Sequence, residues 1–400
     1  MKVLLAHRYF WPENVAALSL MLRDLVDLHH DRGDTVRVVT GTSKDFSADY
    51  KREFPDHFEV AAFRADLDRN GGIPRRILIS VRLLICCLYH VLFGKKWDLL
   101  YTLSYPPLLA WFLIAFGHWS RRVKRSVFYL EDNHVYRVPA GPMRWVYRTV
   151  LKSTIAKATC TITLSKEMSD ELVSYFPAHR QAEIAAKIAL VPNFSPDIGL
   201  VDEVFDEFDH DIIYAGNHGK GQNLPTFLEM LAHPELDPKP KVSFFGSGQV
   251  KADLVARTRE LGLESFVTFH DPVSRAEAQR EMARARFGLV GAIPGLLRFA
   301  FPSKLAGYNI VGTPGIVMCD VNGGTAESLR ENGFGFAIDP EDVAAGARAL
   351  REALARSDDP SVRLATKARG LDVYGKATYL VKMNALLDNL ESGRSLLSQV

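Results

Sequence analysis

The chain has 400 residues, 47% of them apolar and 24% charged, with a formal net charge of +2. That length exceeds one ordinary core and favours two or three domains. The composition excludes a disordered chain, and the near-neutral balance excludes the whole-chain basicity that nucleic-acid binding uses.

The first elements follow directly. Met1 to Ala6 is a short apolar run ended by His7-Arg8-Tyr9-Phe10-Trp11-Pro12, and from Ala16 to His29 apolar residues recur at helical spacing. Gly33-Asp34 turns into Thr35-Val36-Arg37-Val38-Val39-Thr40, a β-branched strand. Strand, helix, strand opens a doubly wound parallel sheet. The N-terminus lacks a signal peptide's apolar stretch and cleavage site, so it reads as a first strand.

Two apolar segments come next. Ile77 to Phe93 is interrupted by Arg82 and His90, and Leu99 to Phe116 by Ser104 and the Pro106-Pro107 pair. Each falls short of the roughly 18 clean residues of a membrane span. From Lys95 to Cys160, eleven Lys or Arg residues stand against three acids, Asp98, Glu131 and Asp132. Buried helices that also brush an anionic bilayer are the expectation. Isolated histidines such as His29, His30 and His90 are read as surface or core residues.

Further strands are expected at Asp98 to Thr102, Ser126 to Leu130, Cys160 to Leu164 and Ile188 to Val191. Glu131-Asp132-Asn133-His134 follows one of them, which places polar side chains at a strand's C-terminal end, where open α/β sheets bind ligands. A polar loop capping the next helix is the alternative. Residues 1–194 form the first predicted domain, and the Asp- and Glu-rich stretch from Ser195 to His210 is the expected linker.

The second series runs through Asp211 to Gly216, Val242 to Phe245, Val267 to Phe269, Gly288 to Val290 and Gly315 to Met318. A long helix is expected from Pro340 to Ala355. This domain ends at residue 372, and residues 373–400, with an amphipathic helix from Val373 to Leu390, are expected to return to the first. Cys86, Cys87, Cys160 and Cys319 have no metal-ligand spacing and suit a reduced, cytoplasmic setting.

Within the second series, Gly216-Asn217-His218-Gly219-Lys220-Gly221-Gln222-Asn223 lies between a strand and a helix. Glycines there let backbone amides approach an anion, with Lys220 as a cation, unless the segment is an ordinary turn with a solvated lysine. Ser303 and Lys304 begin another predicted helix after Pro302 and suit a phosphate, or else Ser303 is a cap. Gly246-Ser247-Gly248 is a nucleotide-facing turn or one that needs glycine for backbone reasons. No Asp-x-Asp motif or cluster with metal spacing is present, so no metal cofactor is expected.

In order along the chain, YFWPEN, SKEM, VPN, YAGNHGKGQNL, FFGSG and FPSKLAGYNIVGTPGIV resemble the type B glycosyltransferases. The resemblance is to the retaining family 4-like group of bacterial polysaccharide and lipopolysaccharide enzymes. It departs in one place: the Glu-x7-Glu pair of most members falls on Phe299 and Gly307, neither acidic, and the sequence looks like the branch with Pro302-Ser303-Lys304. The resemblance implies two Rossmann-like doubly wound domains facing across a cleft, and retaining transfer from a nucleotide-diphosphate sugar to a lipid-linked or surface-polysaccharide acceptor. It implies donor diphosphate contacts at Gly216, Asn217, Gly219, Lys220, Gln222, Ser303 and Lys304, and nucleotide contacts at Gly246, Ser247 and Gly248.

Asp132 and His134 are then the catalytic candidates, with Glu13 and Asn14 on the acceptor side, although Val15-Ala16-Ala17 replaces the usual Gly-Gly pair. An anionic membrane surface is an expected partner, at the inner face of the plasma membrane. The rival readings are a nucleotide-sugar epimerase and a scaffold that lost catalysis. A dehydrogenase is disfavoured, because no Gly-x-Gly-x-x-Gly follows the first strand.

Overall fold

The computed structural model describes residues 1–8, 10–11, 17–42, 59–64, 73–133, 135, 138, 140–195, 205, 207–298, 302–356 and 360–394. The chain divides into two compact units, one of Met1–Pro192 with Tyr379–Val400, the other of Asn193–Thr378.

The first unit holds strands β1 (Lys2–Ala6), β2 (Thr35–Thr42), β3 (Glu59–Arg64), β4 (Trp97–Leu103), β5 (Val123–Tyr129), β6 (Cys160–Thr163) and β7 (Ile188–Leu190). They pair in the order β3-β2-β1-β4-β5-β6-β7, every pair parallel. Helices α1 (Ala17–Asp31), α2 (Ile73–Leu92), α3 (Pro107–Trp119), α4 (Pro142–Lys157), α5 (Lys166–Ser174) and α6 (Ala178–Ala185) connect them. A parallel sheet covered on both faces needs near-continuous apolar strands, and β1 supplies Val3, Leu4, Leu5 and Ala6, all buried. Burial of each of Val3, Leu4 and Leu5 contributes about 1.5–3 kcal/mol. His29 is a core residue: its Nδ1 lies 2.6 Å from Asp34 Oδ2 and its Nε2 3.1 Å from Tyr101 Oη.

The second unit has β8 (His210–Ala215), β9 (Val242–Phe245), β10 (Val267–His270), β11 (Ala285–Val290), β12 (Gly315–Met318) and β13 (Gly335–Ile338). Their order is β10-β9-β8-β11-β12-β13, again parallel throughout. Its helices are α7 (Leu224–Ala232), α8 (Lys251–Glu260), α9 (Arg275–Ala283), α10 (Ser303–Asn309), α11 (Gly324–Asn332), α12 (Val343–Leu354) and α13 (Pro360–Tyr374). Both sheets have the doubly wound order, so the two-domain Rossmann-like α/β class holds.

Several elements differ from expectation. The apolar stretch from Leu99 is the strand β4 and then the helix α3, separated at Ser104 to Pro106. Strands β3 and β13 were not foreseen, because Glu59–Arg64 and Gly335–Ile338 are short and only partly buried. The helix expected from Pro340 begins at Val343, where the Asp342 carboxylate caps the Ala345 N–H at 2.9 Å. The helix expected from Val373 is two helices: α13 ends at Tyr374, and α14 (Lys376–Ser392) starts past Gly375. From α14, Asn384 accepts from Arg32 at 2.9 Å and the Glu391 carbonyl accepts from Arg125 at 3.0 Å, contacts within the first unit.

Candidate active site

The strand order of the second sheet reverses between β8 and β11, and in such sheets the carboxyl ends at the reversal form the ligand crevice. Here that position is filled by the loop after β8. Tyr214 Oη donates to the Asn217 carbonyl at 2.6 Å and lies 3.4 Å from Gln222 Oε1, which folds the loop back over its own strand. Lys220 to Gln222 form a single 3-10 turn, and the Ile293 N–H, past β11, donates to the Gly221 carbonyl at 3.1 Å. The main-chain N–H groups of Asn217, Gly219 and Lys220 donate to no acceptor among the described residues. Such unspent amides are what an anion recruits.

Lys304 comes to this loop from α10. Its Nζ donates to Gln222 Oε1 at 3.1 Å and stands 5.1 Å from the centre of the Tyr214 ring. A Cβ at Gly216 would lie 2.7 Å from Lys304 Cε, so the lysine stem passes directly against the glycine. One turn on, Tyr308 fixes α10 to the sheet. Its hydroxyl accepts from the Ala215 N–H at 3.2 Å and lies 3.3 Å from the Ile213 carbonyl and 3.2 Å from that of Leu289. Helix α10 has only seven residues, so its contribution to an anion is the Lys304 ammonium; Ser303 is exposed and Pro302 is the N-cap.

Burial lowers the Lys304 pKa from 10.5 to about 8. Between about pH 8 and 10.5 the unfolded chain holds the proton that the folded chain has lost, so this group's linkage makes folding stability rise with pH in that window. A bound anion acts in the opposite sense, since it holds the proton on. Affinity for a nucleoside diphosphate is therefore expected to be level between about pH 7, where the ligand's phosphate is ionised, and about pH 8, and to fall, at most tenfold per pH unit, above that. Titrating the affinity by calorimetry on either side of that pH checks this, and Lys304→Met is expected to flatten the profile.

The turn after β9 packs on the same loop through its backbone. The Gly216 N–H donates to the Phe245 carbonyl and the His218 N–H to that of Ser247, both at 2.9 Å. Gly246 has φ +130°, and a Cβ there would lie 2.1 Å from the Gly216 carbonyl oxygen. At Gly248 a Cβ would meet the His218 main chain at 2.5 Å. Lys251 braces the turn, donating to the carbonyls of Gly246 at 3.0 Å and His270 at 2.8 Å and to Asp271 Oδ1 at 3.1 Å. His218 is fully buried; burial, then the Lys251 and Lys304 charges, pull its pKa down to about 4 and keep it neutral.

The expected residues thus separate. Lys304 meets both Gly216 and Gln222, with Asn217 and Gly219 in the same loop and Gly246 against it. Lys220 and Asn217 are exposed, and Lys220 makes no side-chain hydrogen bond or ion pair among the described residues. Ser247 and Gly248 are exposed. Gly307 is buried, and a Cβ there would face Ser195 Oγ at 3.8 Å and Met282 Sδ at 3.9 Å. Lys304 and Tyr308, not residue 307, are the α10 positions that meet the β8 end. Phe299 lies outside the described residues, as do His134, Glu13 and Asn14.

In the first unit Asp132 follows β5 and lines a small cavity with Ser104, Leu130, Val135, Tyr147 and Thr154. Its neighbour Glu131 has a pKa raised to about 8 by burial and by the Asp132 charge, so it carries its proton at neutral pH. Asn133 is structural, with Nδ2 donating to Tyr175 Oη at 2.8 Å. Glu131 stood in the polar run after β5, and Tyr214 and Tyr308 in two of the resembling motifs, but in sequence none of them, nor Lys251, had a role of its own. The contacts of Tyr214, Lys251 and Tyr308 join separate parts of the chain. Among the described residues no group of three His, Cys, Asp or Glu side chains could hold a metal ion.

Residues 201–370, from before β8 into α13, match the family model described as glycosyl transferases group 1. No curated protein sequence matches the chain. Among solved structures, sucrose-phosphate synthase from Thermosynechococcus elongatus is 16% identical with a TM-score of 0.71, covering 98% of this chain and 99% of its own. Anabaena HepE in complex with UDP and glucose is 14% identical with a TM-score of 0.66, covering 97% and 100%. The lipopolysaccharide outer core galactosyltransferase WaaB, in its apo form, is 12% identical with a TM-score of 0.67, covering 98% and 99%. At such identities these likenesses establish the fold. The domain match to residues 201–370 adds the class: the chain is a glycosyltransferase.

Proposed function

We propose that the chain transfers a sugar, with retention and without a metal, from a nucleoside diphosphate donor to a lipid-linked or surface-polysaccharide acceptor. The observation that carries the donor side is the Lys304 ammonium held against Gly216 and Gln222, beside a loop whose Asn217, Gly219 and Lys220 amides have no acceptor among the described residues. Breaking the bond from the anomeric carbon to the diphosphate leaves the electron pair on a phosphate oxygen. Fixed positive charge and oriented N–H groups stabilise that oxygen most when its charge has fully developed. Lys304 and Lys220 supply the charge that a metal would otherwise bring, and Ser247 and Gly248 border the nucleoside. The acceptor hydroxyl forms the new bond to the anomeric carbon, and we assign its proton to Asp132. Two similar structures suggest where to begin: HepE was solved with UDP and glucose, and WaaB acts on the lipopolysaccharide outer core.

The test is a thermal-shift panel of UDP, GDP, ADP and CMP in the presence of EDTA, on the wild type and on Lys220→Ala and Lys304→Ala. One nucleoside diphosphate is expected to raise the midpoint by mass action, and Lys304→Ala to diminish the rise. A shift that appears only when a divalent metal is added overturns metal independence. No shift with any nucleotide overturns the donor site and returns the scaffold reading.

A further inference from the structure

Helix α2 is apolar on both sides. Its inner side buries Ile79, Leu83, Cys87 and Val91, each 4% exposed or less. Its outer side shows Val81, Ile85 and Tyr89, continued past the helix end by Phe93, at 44–74% exposure. A surface helix normally turns polar residues outward, so this side is built to be covered. It is not isolated. Helices α2, α3 and α4 pack side by side and share one buried core. Trp119 closes α3 with 78% of its surface exposed, and Trp145 stands on α4 with 68% exposed.

The charges on these three helices have one sign. None of the three helices contains an Asp or Glu. Exposed cations stand among the apolar residues: Arg82 on α2, Lys95 and Lys96 after it, Arg121 after α3, and Arg148 on α4.

We infer that the α2-α3-α4 face is a docking surface for an anionic lipid bilayer, with Tyr89, Phe93, Trp119 and Trp145 seated among the headgroups and the Arg and Lys side chains on lipid phosphates. Aromatic rings prefer the headgroup level, and cations gain near an anionic leaflet. A second copy of this face fits worse, because helices that carry only cations repel one another. The chain lies on the bilayer rather than crossing it: among the described residues no helix is long and apolar enough to span. The inference gives the proposed lipid-linked acceptor a place and rests on that reading only for its use. Vesicle binding is measured without turnover, so either can fail alone.

The full chain is sedimented with vesicles of phosphatidylcholine alone or mixed with phosphatidylglycerol, at about 0.1 M and about 0.5 M salt. The variants are Trp119→Ser with Trp145→Ser, and Arg82→Glu with Arg148→Glu, each checked for an unchanged nucleotide thermal shift. Binding is expected only to the anionic vesicles, to fall about tenfold or more at the higher salt, and to fall as far in both variants. Equal binding to neutral vesicles, or variants that bind like the wild type, overturns the inference. So does self-association in light scattering that the tryptophan variant abolishes while no vesicle binds, which would make the face a contact between copies.

Discussion

Replacing Lys304 by alanine is expected to lower kcat/KM by about 10²–10³-fold, the loss seen when one preorganised donor to a developing oxyanion is removed. The ammonium is partly buried, lies against Gly216 and bonds Gln222, so no neighbouring cation can move into its place without refolding the loop. Its lowered pKa shows that the folded protein holds this charge at a cost. Removing it should therefore leave the thermal midpoint unchanged or higher while activity falls, the opposition expected of a functional charge. Lys304→Arg is the discriminating companion. It keeps the charge but replaces a slim ammonium with a planar fork beside the Tyr214 ring, and is expected to recover only part of the loss. Steady-state kinetics with the nucleotide sugar identified by the thermal-shift panel, together with melting curves, measure both effects. A variant with wild-type kcat/KM would remove Lys304 from the site.

Gly246→Ala is expected to destabilise the second unit by about 3 kcal/mol, combining a left-side φ forced on a residue with a Cβ and an overpacked contact. The contact has no soft partner: the new carbon would stand 2.1 Å from a carbonyl oxygen, that of Gly216, in the loop proposed to hold the diphosphate. In a domain of this size the loss corresponds to a fall of about 6–12 °C in the melting midpoint, with loss of the nucleotide shift. Gly219→Ala is the contrast. Gly219 has φ −100°, and its added Cβ would meet only the movable Asn217 side-chain amide, at 2.7 Å. Melting curves of the two variants, run with and without nucleotide, separate a glycine required by the backbone from one that leaves room for a ligand. Equal midpoints would mean that the turn after β9 yields more readily than its packing implies.

Much of the chain's organisation was legible because it is written locally. Apolar runs such as Val3 to Ala6 and Ile212 to Ala215 are what a doubly covered parallel strand requires, and their alternation with helical spacing fixes a doubly wound sheet. The loop Gly216 to Gln222 was legible for the same reason: glycines between a strand and a helix mark a place where backbone approaches a ligand. Short, half-buried strands such as β3 and β13 were not, since they lack the apolar run that distinguishes a strand from a loop.

The sequence by itself determined the two α/β series, the glycine loops and the one-sided charge between Lys95 and Cys160, because these depend on neighbouring residues. Only the tertiary structure decided which lysine is bonded to the loop. Lys220 adjoins it in the chain yet is exposed and unbonded among the described residues. Lys304, 82 positions from Gln222, is brought to it because Tyr308, one turn further along α10, anchors that helix at the end of β8. The same holds for the outer side of α2: the sequence led to a buried helix that also brushes a bilayer, without saying which of its side chains stay exposed. Whether an apolar side chain is covered depends on what packs against it, and nothing in the spacing of Ile85, Tyr89 and Phe93 records that their side of the helix has been left to solvent.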